Sequence, residues 1–189
     1  MANVDRVNGF HPVGNVVTGS YNGQSRPYSV AAGYATALFV GDAVSMSGTA
    51  DADGVPGCVQ AAAGANMIGV IVGLVVNRAN ATTEHPGYSA ASTADVVLVC
   101  DDPNVIYEVQ EDGSIGLVGV GLTADHIVAA GNTTTGASGM EIDSSDAGTG
   151  AGWKILGFSR RTDNEPANAN AKLLVKINEH ELTGAGVGV

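Results

Sequence analysis

A chain of 189 residues with 8 Lys and Arg against 19 Asp and Glu carries a formal charge of −11, which excludes the broad basic surface needed to displace counterions from a nucleic-acid backbone. Its 27 glycines follow no collagen-like period and aromatics make up only 5% of the residues. That composition suits short strands and many turns around a single core, not a fibre or a helical bundle.

The opening MANVDRVNGF places Asp5 and Arg6 where a secretion signal needs an apolar run, so the expectation is a chain made and kept in a cytoplasm. Residues 1–27 mix Asn, Gly, Ser and Val without a period and end in the turn-rich GSYNGQSRP, which predicts an extended N-terminal arm that takes its order from a neighbour. A single β-rich domain is expected over 28–182, followed by a flexible glycine-rich tail over 183–189.

Strand signals begin with YSVAA at Tyr28, TALFV around Leu38 and AVSMS after Gly41-Asp42. Glycine followed by aspartate between two apolar runs is a two-residue hairpin signal, because glycine supplies the positive φ of such a turn. Asp42 is therefore expected as a turn residue and not as a catalytic acid. The longest apolar run, Met67 to Val76, is too short for a bilayer, which needs about 20 residues, and its β-branched content predicts a buried strand.

ADVVLVC (94–100) and NVIYEVQ (104–110) are two further strands, joined by Asp101-Asp102-Pro103. Proline cannot donate to a central ladder and aspartate favours turns, so this tripeptide is a connection. IGLVGVGL (115–122) alternates glycine with apolar residues like a strand that admits a close backbone neighbour, and LTADHIVAA (122–130) holds the best helical period, a short one. WKILGFSRR (153–161) and AKLLVKINEH (171–180) supply the last strands. Strands recurring between turn signals predict an all-β fold, a sandwich or barrel with few short helices.

Catalytic and metal motifs are weak throughout. GNTTTGAS (131–138) has P-loop glycine spacing, but Ala137 stands where the lysine belongs and the following SGMEIDSSDAGTGAG would not propagate a helix. His11, His85, His126 and His180 are scattered without ligand spacing, and solvated or core histidines are expected. Asp51-Ala52-Asp53-Gly54 begins like a calcium loop but lacks the later acidic positions, although Asp101 or Asp112 could complete a weak site. No G-x-S-x-G elbow occurs, and Asp143, Ser144, Ser145 and Asp146 are the residues any turn contains. Cys58 and Cys100, far apart and outside any C-x-x-C, are expected as buried reduced thiols. No enzyme activity, cofactor or metal is expected.

TTTGASGMEIDSS (133–145) and ILGFSRRTDNEPANANAKLLVKINEHEL (155–182), together with VDRVNGFHPV, FVGDAV, the QAAAG-to-GVIVG passage and DDPNVIYEV, resemble the small capsid decoration (cement) proteins of tailed bacteriophages. The resemblance implies a β-rich protein on the outer surface of a DNA-filled head, usually trimeric, bound where major capsid subunits meet and reinforcing the shell. It implies no membrane or direct nucleic-acid contact. The acidic, aromatic-poor composition suits that solvent-facing position. On this reading Arg6 and Arg26 contact carboxylates of a neighbouring subunit, and Thr133, Thr134 and Thr135 form a surface loop that offers hydroxyls to one. A sugar-binding, adhesin-like module and a small hydrolase are the alternatives; the first would present aromatic platforms, which are thinly spread here.

Overall fold

The computed structural model describes residues 3–75, 87–166 and 168–183. The fold is all-β: a small closed barrel with a five-stranded sheet laid against its outside. The barrel is built from β2 (Arg26–Val30), β3 (Ala43–Ala50), β4 (Pro56–Gln60), β5 (Gly69–Val75) and β6 (Asp95–Cys100) in the order β2-β4-β3-β5-β6. Pairing of β2 with β6, from Arg26 opposite Val99 to Val30 opposite Asp95, closes it. The β2–β4 contact is parallel and limited to Ser29 opposite Gly57. Irregular register in β3 between Met46 and Ala50, and in β5 between Ile71 and Gly73, bends these strands, as closure of so small a barrel requires.

The sheet has the order β1 (His11–Asn15), β7 (Val105–Gln110), β12 (Lys172–Ile177), β11 (Trp153–Phe158) and β8 (Thr123–Ala124), all antiparallel. A separate pair joins β9 (His126–Ile127) to β10 (Glu141–Ile142). Asp101-Asp102-Pro103 carries the chain from barrel to sheet, with Asp102 accepting the Asn104 N–H at 2.8 Å.

Successive side chains of a strand point to opposite faces, and on the shared wall both faces are buried. Val44, Ile71 and Val99 fill the barrel with Tyr28, Val30, Leu38, Cys58, Ile68 and Val97. Their neighbours Ala43, Val70 and Cys100 point outward into a second core, against Tyr107, Val109, Trp153, Ile155, Leu173, Val175 and Ile177 of the sheet. Double burial explains the near-continuous apolar character of 67–75, whereas β12 buries one face and alternates. Burial pushes the Cys58 thiol up to about 12 and raises that of Cys100, consistent with free thiols acting as small hydrophobes.

Four expectations are corrected. Residues 3–27 are not an extended arm: β1 is an edge strand on β7, Arg26 and Pro27 open the barrel stave β2, and Phe10, only 1% exposed, stacks on Trp153 with ring centroids 4.0 Å apart. Pro12, Gly14 and the register shift between them hide this strand from a periodicity reading, and an edge is where a ladder tolerates proline. TALFV is no hairpin strand, since Leu38 and Val40 make only isolated bridges, to Ser89 and Ala137. IGLVGVGL folds as a 3-10 turn, Leu117–Gly119, between Gly116 and Gly121 at φ 64° and 90°. LTADHIVAA holds β8 and β9 instead of a helical turn.

Gly41 does form a turn, in which the Asp42 N–H donates to the Phe39 carbonyl at 3.0 Å. The N-terminal segment crosses this turn with Phe10 N–H donating to the Gly41 carbonyl. A Cβ on Gly9 would lie 2.6 Å from that oxygen, and one on Gly41 2.8 Å from the Asn8 carbonyl, so two glycines let the backbones touch. Val76, His85 and the tail from Gly184 to Val189 lie outside the described residues.

Candidate functional site

The three threonines sit on a self-capped turn. Asn132 Oδ1 accepts the N–H groups of Thr134 and Thr135 at 2.8 and 3.2 Å, and its backbone N–H donates to the Ala137 carbonyl at 2.8 Å. Thr133, Thr134 and Thr135 are exposed, while the base of the turn is buried: Gly136 has φ 73°, and a Cβ there would stand 2.5 Å from the Gly87 carbonyl. The turn bridges to Val40 rather than following a strand into a helix. Its amides are therefore committed to Asn132 and not arrayed around an anion.

Arg26 is tied to its own chain. Its guanidinium lies 3.3 Å from Asp101 Oδ2, which is 4% exposed and also accepts the Tyr28 hydroxyl at 3.0 Å. Arg6 lies elsewhere, over β7, where its backbone N–H donates to Gln110 Oε1 at 2.9 Å and its side chain borders a cleft with Arg161 and Lys172. Arg6, Arg26 and the threonine turn thus occupy three separate elements and share no partner.

The titratable groups named for chemistry are used structurally. His126 donates from Nε2 to the Ala61 carbonyl at 3.2 Å and accepts the Trp153 indole N–H at Nδ1, a pairing that requires the neutral ring. Burial lowers its pKa accordingly. Burial also lowers those of His11 and His180, and His180 accepts the Leu182 N–H. Asp42 Oδ2 accepts from the Phe39 N–H and the Gln60 amide, and burial raises its pKa. Asp143 caps its own turn through the Ser145 N–H and hydroxyl, and Asp51 closes the DADG turn through the N–H groups of Asp53 and Val55. Among the described residues no group of three His, Cys, Asp or Glu side chains is placed to hold a metal ion.

Sequence reasoning missed two features. Glu111 is fully buried; Oε2 accepts the Ile115 N–H at 2.9 Å, Oε1 has no partner, and desolvation pushes the carboxyl up to about 7. The second is an exposed apolar strip. Leu117, Val118, Val120 and Leu122 are 64%, 86%, 43% and 40% exposed, and Leu156 beside them is 40% exposed. Hydrogen bonds from Gly121 N–H to the Ile155 carbonyl and from Ile155 N–H to the Leu122 carbonyl hold the segment along β11. The signal was present in IGLVGVGL, whose glycines supply the positive φ values that turn its apolar side chains outward. Comparisons with protein-family profiles, with curated proteins and with solved structures return no match.

Proposed function

We propose that this chain is a non-enzymatic structural protein that binds the outer surface of a tailed-phage capsid at junctions between major capsid subunits, as a homo-oligomer, in the simplest case a trimer, and reinforces the shell. The observation that carries the reading is the apolar strip from Leu117 to Leu122 with Leu156, on a molecule of charge −11. Contiguous exposed apolar surface on a soluble fold marks a face for another protein. The resemblance of the motifs above to decoration proteins supports reading that protein as a shell subunit. The all-β frame, in which His126, Asp51 and Asp143 are held in hydrogen bonds of the fold, fits a scaffold that presents surfaces rather than chemistry.

A sugar-binding reading gains no support from the aromatics: Phe10, Tyr28, Phe39, Tyr107 and Trp153 are buried, and Tyr21, Tyr34, Tyr88 and Phe158 are only partly exposed. Sugar rings stack on open aromatic faces, and no aromatic side chain here is in that state. The direct test is to mix purified protein with undecorated phage shells and image them by cryo-electron microscopy. Added density at the junctions between shell subunits is expected; bare shells at saturating protein would refute the proposal.

A further inference from the structure

Three cations meet in one place on this acidic chain. A cleft of about 200 Å³ between the N-terminal segment and the loop joining β11 to β12 is bordered by Arg6, Arg161 and Lys172, with Asp163 as the only carboxylate in its lining. Its frame is fixed by two asparagines. Asn3 Nδ2 donates to the carbonyls of Glu165 and Ala169 at 3.1 and 3.0 Å, and Asn3 Oδ1 accepts the Glu165 N–H at 2.8 Å. Asn164 does the same on the other wall: its amide donates to the carbonyls of Ser159 and Lys172, and its oxygen accepts the Lys172 N–H at 2.8 Å. Asn3 and Asn164 are thus spent on the frame, and Arg6, Arg161 and Lys172 supply the charge of the cleft, with Asn170 also in its lining.

Arg161 is already engaged. Its Nε and Nη2 form a fork with Asp163 at 2.9 and 3.1 Å, and Nη1 lies 3.6 Å from Glu108. Among the described residues no carboxylate lies within ion-pair distance of Arg6 or Lys172. With Arg161 taken up by Asp163 and Glu108, Arg6 and Lys172 are the cations of the cleft left without a carboxylate, on a chain whose total is −11.

We infer that this cleft is a socket for one carboxylate side chain of an adjacent polypeptide, held between Arg6 and Lys172. A carboxylate matches the planar donor fork of arginine and can take the lysine ammonium on the same group. A phosphate dianion would bring its second charge toward Asp163, which lines the same cleft. The inference rests on the proposal that the chain works by docking against other polypeptides.

The test uses the full-length protein, labelled with ¹⁵N, and observes the Arg Nε and Lys Nζ resonances while a blocked hexaglutamate peptide or inorganic phosphate is added. Saturable shifts of Arg6 and Lys172 are expected with the peptide below about 10 mM, the affinity range of one or two ion pairs. Phosphate should bind at least threefold more weakly. The double variant Arg6→Gln, Lys172→Gln should lose at least tenfold in peptide affinity with an unchanged melting temperature. Shifts that persist in that variant, tighter binding of phosphate, or no saturation would overturn the socket. Shell binding separates the two proposals: a wild-type protein that shows the peptide shifts but ignores shells keeps the socket and loses the capsid reading. A double variant that binds shells as well as wild type removes the socket alone.

Discussion

The ring of Phe10 lies nearly parallel to that of Trp153, 8° from coplanar with centroids 4.0 Å apart, and it links the first residues of the chain to the centre of the sheet. Both side chains are fully buried, and the indole N–H is in turn held by His126. Phe10→Ala is expected to destabilise the fold by about 3–5 kcal/mol, the usual cost of deleting a buried ring. Removal of residues 1–27, which takes Phe10, β1 and the Arg26 and Pro27 end of β2 with it, should abolish cooperative unfolding. Chemical denaturation followed by Trp153 fluorescence reads both; a truncated protein that melts like the intact one would contradict this packing.

Arg26→Gln is expected to weaken folding and not association. It leaves the buried Asp101 carboxylate with Tyr28 as its remaining side-chain partner, a loss of about 1–3 kcal/mol in line with buried polar groups deprived of a partner. In a double-mutant cycle with Asp101→Asn the two effects should be non-additive by at least about 0.5 kcal/mol. Additive effects would show that the pair contributes nothing.

Glu111 sets a pH dependence of definite sign. Its folded carboxyl keeps a proton up to about 7, whereas an unfolded glutamate releases it near the ordinary value of 4.5. Between these values the native state binds more protons, so this contribution is fully present below about pH 4.5 and is lost as pH rises through 7, with a slope of at most about 1.4 kcal/mol per pH unit. The histidines, whose folded pKa values are lowered, act oppositely below about 6.5. The discriminating quantity is therefore the stability of wild type minus that of Glu111→Gln, measured from urea midpoints at several pH values. It should fall from pH 5 to about pH 7 and level off above that, and a constant difference would rule the effect out.

Val118→Asp should leave folding within about 0.5 kcal/mol of wild type, as expected for an exposed position, because this side chain is 86% exposed. Shell binding or self-association, measured by co-sedimentation, should drop at least tenfold, equivalent to about 1.4 kcal/mol. Unaltered binding would show that the apolar strip faces solvent in the assembled state.

Much of the barrel wall and of the sheet was legible, the wall because it is apolar on both faces and the sheet because its central strands alternate. Runs such as ADVVLVC and the segment beginning at Met67 have no other stable place, and β5, β6, β7, β11 and β12 fall within a few residues of their expected positions. What stayed hidden was set by partners distant in the chain. Phe10 is one apolar residue among turn formers, and its burial depends on Trp153; β4, PGCVQ, draws no assignment from the sequence because its order comes from β3 beside it. Arg26 looked available because Asp101 is far from it in sequence. The cleft at Arg6 could not be anticipated at all, since Arg161 and Lys172 reach it only through the return of β12 alongside β7.

The pairing of β1 with β7 has a consequence for biosynthesis. Every residue of the inner barrel core lies between Tyr28 and Val99, so that unit can close as soon as β6 has left the ribosome. Strand β1 emerges earlier yet pairs with residues about 100 positions later, a wait of roughly 5–20 s at ordinary elongation rates of about 5–20 residues per second. Phe10 waits longer still, for Trp153. The segment around β1 is thus made before every strand it packs against and is among the last to be seated, and during that interval the apolar ring of Phe10 is open to capture by a chaperone or by another nascent chain.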